Sequence, residues 1–190
     1  SVVARINSDG TPYDTGYGSV IWLDGVFSYA NYNFGEAGAA QPDGKIVGFG
    51  RTMDEESYSE RPFLVRLNQN GSLDKSTFGT NGRGAVIIAL PRFHYDKGSM
   101  AIQADGRIVV AGTVGDSDDV HNDPVVARFN SNGTLDTTFG GTGIVVTDFG
   151  TNEFGTDVHL QADGKIVVVG TSSTGDSSNL MIVRYNKDGS

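Results

Sequence analysis

Residues 161–170 read QADGKIVVVG, and the same pattern stands twice earlier, as QADGRIVVAG at 103–112 and QPDGKIVGFG at 41–50. Each copy reads as the end of one strand, a tight turn and a second strand. In the 41–45 copy, Pro42 presets φ for the first turn position. Asp43 suits the next, and Gly44 accepts the positive φ that sends the chain back as a hairpin. The strand that follows, KIVVVG, does not alternate polar with apolar. Both of its faces are apolar, so it belongs between two packed layers. The expectation is that Ile46, Val47, Ile108, Val109, Val110, Ile166, Val167 and Val168 are buried in middle strands. Asp43, Asp105 and Asp163 recur at one phase, which reads as turn chemistry rather than metal ligation.

A second recurring stretch sets the register. It reads VVARINSDG at 2–10, FLVRLNQNG at 63–71, VVARFNSNG at 125–133 and MIVRYNKDG at 181–189, with closing glycines about sixty residues apart. Arg5, Arg66, Arg128 and Arg184 hold the same place in each copy. Each is read as covering a strand edge with its stem while its head finds a carboxylate or carbonyl. A third element follows each glycine, SLDKSTFG at 72–79 and TLDTTFG at 134–140, and then a further short strand at 84–90 and 143–149. Four short strands joined by tight turns form an antiparallel meander. Repeated at a fixed period, that meander is a β-propeller blade. The fold expected is all-β and propeller-like, with about three tandem four-stranded antiparallel blades. Residues 1–40 make a partial, divergent unit, 41–102 a second, 103–160 a third, and 161–190 the start of the next.

The runs QADGKIVVVGTS, VVARFNSNGTLDTTFG and GTGIVVTDFG resemble the bacterial delta-60 repeat, found in tandem in large secreted or surface proteins, and similar to propeller blades of the NHL kind. The resemblance implies a propeller fold and an extracellular or cell-surface place. It supplies no catalytic residues. A closed propeller needs at least about four blades, and residues 1–11 share a repeat phase with the last residues. The expectation is therefore a stretch of a longer repeat array, with 1–10 and 181–189 in equivalent places of successive blades. A three-unit domain that pairs its ends with other chains is the alternative.

Charge and composition narrow the function classes. The chain of 190 residues has a net charge of −9 and no cysteine. It shows no basic patch for nucleic acid. An anionic membrane surface would repel it, and no apolar run approaches a membrane span. Disulfides, zinc–thiolate sites and cysteine nucleophiles are excluded. The three histidines, His94, His121 and His159, fall in a linker, a loop and a strand, and no GxSxG, HExxH or phosphate-binding loop is present. The expectation is a protein without catalytic activity.

Two features point to ligands. Tyr13, Tyr17, Trp22, Phe27, Tyr29, Tyr32 and Phe34 crowd into residues 13–34. Tyr17 takes the place of Phe78 and Phe139, Trp22 that of Val146 and Phe34 that of Phe154, which reads as core or edge filling. That leaves Tyr13, Phe27, Tyr29 and Tyr32 as a candidate surface for a glycan or protein partner, since sugar rings stack on exposed aromatic faces. The second feature is acidic. Asp54, Glu55, Glu56 and Glu60 lie in one loop, and Asp116, Asp118, Asp119 and Asp123 in the next, on one rim of a propeller. The latter four are candidate ligands for a hard cation such as calcium, which takes about six to eight oxygens, or for a basic partner. Solvation alone is the plain alternative. The function expected is a binding or protein-interaction scaffold. A structural subunit built by association with other repeats of the same or neighbouring chains, and a glycan-directed enzyme or lectin, are the alternatives.

Overall fold

A computed structural model describes residues 30–54, 60–79, 82–90, 93, 98–115, 121–175 and 177–190. The described chain is all-β. The first sheet runs β1 (Ala30–Ala40), β2 (Ile46–Asp54), β3 (Glu60–Leu67) and β4 (Ala85–Ile87) in spatial order. The second runs β5 (Ser99–Ile102), β6 (Ile108–Gly115), β7 (Asn122–Phe129) and β8 (Ile144–Val146). The third holds β9 (Asn152–Leu160), β10 (Ile166–Thr174) and β11 (Ser177–Tyr185), with β10 in the middle. All neighbours pair antiparallel. These are the blades expected from the repeat. Residues 1–29, with the first unit's aromatic and arginine positions up to Tyr29, lie outside the described residues. Residues 181–189 place β11 beside β10, where β3 and β7 stand in their own sheets.

The DG turns close as their residues dictate. Gln41, Gln103 and Gln161 each donate their N–H to the carbonyl four residues on, at 2.8, 2.8 and 2.9 Å. Asp43, Asp105 and Asp163 accept the N–H two residues on, at 3.1, 3.1 and 3.2 Å, so they are turn residues, as the sequence indicates. Gly44, Gly106 and Gly164 have φ of 79°, 85° and 80°.

The fourth strand is shorter than the sequence indicates: three residues in β4 and β8 instead of seven. Two prolines explain where the ladder stops. Ile88 donates to the Pro62 carbonyl at 2.8 Å and Thr147 to the Pro124 carbonyl at 3.1 Å, but neither proline has an N–H to return the bond.

Burial follows from stacking. The second sheet lies between the other two. Ile108, Val110, Ala127 and Phe129 face the first sheet's Val47, Phe49 and Leu64. Val109, Ala111 and Val126 face the third sheet's Val158, Ile166 and Val168. This explains the two-sided apolar run of β6, buried almost throughout. Val47, Ile166 and Val168 are buried as expected, but Ile46 and Val167 are only half-buried. They sit on the outer faces of the end sheets, which have no further blade against them among the described residues. The closing glycine of the motif also has a packing reason. A Cβ on Gly170 would clash with the Phe154 carbonyl oxygen, where β9 bulges against β10.

Candidate functional site

The repeat arginines build the most elaborate polar sites. Arg66 is 4% exposed, on β3. Its Nε donates to Asp74 Oδ2 at 3.0 Å, and Nη2 to the Thr77 carbonyl at 3.0 Å. Its Nη1 reaches Gln41 Oε1 at 3.1 Å and the Ser131 carbonyl of the next blade. Lys45, directly after the DG turn, adds a second cation on Asp74 at 2.9 Å. The second blade repeats the set. Arg128 Nε bonds Asp136 Oδ2 at 2.8 Å, Arg107 stands in the place of Lys45 at 3.2 Å, and Arg128 Nη1 bonds the Lys187 carbonyl of the third blade. Each guanidinium lies 4.7 Å over a buried ring, Phe78 or Phe139. The next blade's turn glycine caps each ring: a Cβ on Gly133 would meet Phe78 at 2.8 Å, and one on Gly189 would meet Phe139 at 3.1 Å. Gly79 and Gly140 complete the tie, donating to Asn132 and Asp188 carbonyls at 2.9 and 2.7 Å. Arg184, with no later blade among the described residues, is exposed.

Burial by itself would raise the Asp74 carboxyl, but hydrogen bonds from Thr77, Lys45 and Arg66 outweigh it and hold the group well below the usual carboxylate range. Asp136 is likewise lowered against the push of burial, by Thr138 and Arg128. A carboxylate lowered in the folded state stabilises the fold above its unfolded value, near about 4, and loses that contribution as pH falls through the folded value. Urea unfolding at stepped pH is expected to show stability level above about pH 4 and falling below it. Asp136→Asn should flatten that fall, and an unchanged slope would contradict the assignment.

Of the first acidic loop, Glu55 and Glu56 lie outside the described residues, and Asp54 and Glu60 stand at the ends of β2 and β3. Asp116, Asp118 and Asp119 lie outside the described residues. Asp123, on β7, comes together with two residues that its loop does not contain, Asp148 after β8 and Glu153 on β9. One carboxylate oxygen from each lies within 4.8 Å of the others. Glu153 is fully buried. Its Oε1 accepts from Thr151 and from Ser172 at 3.3 Å, while its buried Oε2 has no hydrogen-bond partner. Beside them, Asn122 donates its backbone N–H and Nδ2 to Asn152 Oδ1 at 3.1 and 2.9 Å, linking the second sheet to the third. Nothing in the repeat marks Asp148 or Glu153. A glutamate near a strand start reads as solvated until the neighbouring blade is in place.

Tyr13, Phe27 and Tyr29 lie outside the described residues, and Tyr32 is placed only by its backbone, opposite Met53 in β1 and β2. His94 is outside them as well. His159 is exposed on β9, its Nε2 3.1 Å from Asp157 Oδ2, and His121 is exposed ahead of β7. A cleft of 260 Å³ runs between β4 and β8, lined by Val86, Ile87, Ala89, Leu135 and Ile144 among others, with no titratable side chain in its lining.

Antiparallel meanders of three or four strands stacked face to face, tied blade to blade at fixed phase, define a β-propeller repeat protein. The chain belongs to the family described as Domain of unknown function (DUF5122) beta-propeller, whose model matches residues 41–76, 103–139 and 161–190, more than half of the chain. Each matched segment begins at the glutamine of a QxDG turn. No curated protein matches the chain.

Proposed function

We propose that the chain is a non-catalytic β-propeller module of a secreted or cell-surface bacterial protein, of the delta-60 kind, serving as a rigid scaffold that presents its loop rim to a protein or glycan partner. The observation that supports this reading is the destination of the buried charge. Arg66, Asp74, Arg128 and Asp136 all act in ties that hold one blade to the next. A framework fixed in this way tolerates variation in the loops between the second and third strands. Those loops do vary here, from DEESYSE to GDSDDVHND to TGDSSN.

A structural role, in which repeats associate along their edges, draws on a different observation: Leu180 and Ile182 on β11 are 76% and 62% exposed.

The test presents the protein to a glycan array and to a surface of lysine-rich peptide at physiological salt. Saturable binding to one class, without turnover of the glycans, is the expected result. Hydrolysis of an arrayed glycan would overturn the non-catalytic reading, and binding to neither class would overturn the scaffold. Self-association that Leu180→Asp with Ile182→Asp abolishes would favour the structural role.

A further inference from the structure

We propose that Asp123, Asp148 and Glu153 bind a divalent cation of the calcium type, which staples the second blade to the third. The geometry suits one ion. Calcium bonds oxygen at about 2.3–2.6 Å, so two of its ligand atoms stand no more than about 5 Å apart. The three carboxylate oxygens lie within 4.8 Å of one another. Magnesium demands near-ideal octahedral geometry and gives up its waters reluctantly, so three carboxylates from separate segments suit it less well than calcium. The donors are all hard oxygens, with no sulfur or imidazole among them, which disfavours zinc and copper.

An acidic cluster alone would carry little weight. The independent observation is Glu153. This side chain is fully buried, and its Oε2, the oxygen without a hydrogen-bond donor, is enclosed by protein. A buried carboxylate oxygen left without a partner bears its full desolvation cost. A cation held also by Asp123 and Asp148 removes that cost and the mutual repulsion of the three groups.

The placement is specific to this junction. Asp123 pairs with Val114 across β7 and β6, and the first blade has Arg61 opposite Thr52 in that place. Asp148 stands four residues beyond Ile144, the partner of Ala127. The first blade has Ala89 at the same distance from Ala85, the partner of Val65. The fold therefore forms a blade without these acids, and their convergence is not a requirement of the repeat. One ligand comes from the second blade's third strand, one from the connection, and one from the third blade's first strand. A bound ion would join all three and close the junction beside the Asn122–Asn152 bond.

The test uses the full chain, freed of metal by chelator and titrated with calcium chloride by calorimetry and thermal unfolding. Saturable binding of one ion is expected, with a rise in melting temperature that grows with calcium by mass action. Magnesium should bind at least about tenfold more weakly. Asp148 is exposed, so Asp148→Asn should fold normally and weaken calcium binding by about tenfold or more, given the loss of one charged ligand. Glu153→Gln should abolish the melting shift. The triple variant Asp116→Asn, Asp118→Asn, Asp119→Asn should keep it. No binding heat with an unchanged melting curve would overturn the proposal. So would a shift that survives Asp148→Asn and Glu153→Gln together, or one that only the triple variant removes.

Discussion

Replacing Arg128 with alanine is expected to lower the free energy of unfolding by about 3–5 kcal/mol, the range for breaking a buried, hydrogen-bonded ion pair. The size follows from what the substitution leaves behind. Asp136 is 4% exposed and would keep its charge with Arg107 as its remaining cation. The Lys187 carbonyl of the third blade would lose its donor. The Phe139 ring would lose the guanidinium stacked at 4.7 Å. Urea unfolding at neutral pH measures the change. Arg128→Lys should recover only part of it, because an ammonium cannot reach the carboxylate, the carbonyl and the ring at once as the planar fork does. Arg184→Ala, at the same repeat phase but exposed, should change stability by less than about 0.5 kcal/mol. A loss at Arg128 no larger than that at Arg184 would show that the buried tie is not what couples the blades.

Phe139→Ala is expected to cost about 3–5 kcal/mol as well, the range for truncating a fully buried phenylalanine. The ring is 0% exposed and lies in the cluster shared by the second and third sheets, with Val126, Ile166, Val168 and Tyr185. Its far side meets Gly189 of the third blade. The cavity would therefore open at a junction, and the loss should be uneven along the chain. Amide exchange in β9–β11 should accelerate well before that in β1–β3, because repeat proteins couple neighbour to neighbour. Uniform loss of protection in all three sheets would argue against separable blades. Arg128→Ala and Phe139→Ala together should fall short of the sum of the two, since the groups stack on each other.

Both effects rest on a spacing that the sequence displays. Arginine is followed eight residues on by aspartate in both complete units, Arg66 to Asp74 and Arg128 to Asp136, and the phenylalanine follows the aspartate by four residues in the first, Phe78, and by three in the second, Phe139. The basic residue after each DG turn, Lys45 or Arg107, points at the same aspartate. The arginine's need for a carboxylate or carbonyl is readable from its burial on an apolar strand. Its particular partners follow only once the turn after the strand folds back, through the Leu67–Leu73 and Phe129–Leu135 bridges.

The sequence by itself determined the blade. The DG turns, the two-sided apolar strand and the sixty-residue period are local properties, and local hydrogen bonds and burial realise them with the expected strand order. The apolar run of the fourth strand overstates its length, which Pro62 and Pro124 on the neighbouring strands limit, because a proline cannot return a ladder bond. The tertiary structure alone decided what depends on a neighbouring blade. Ile46 and Val167 have the same motif positions as Ile108 and Val109, yet differ in burial because, among the described residues, only the second sheet is covered on both faces. Glu153 is one of many acids in an acidic chain. The packing of β9 against the second sheet encloses it and brings Asp123 and Asp148 to its side. Residues 25 and 30 positions apart have no periodicity to announce their meeting, since neither strand pairing nor turn chemistry places them, and only the stacking of one blade on the next does.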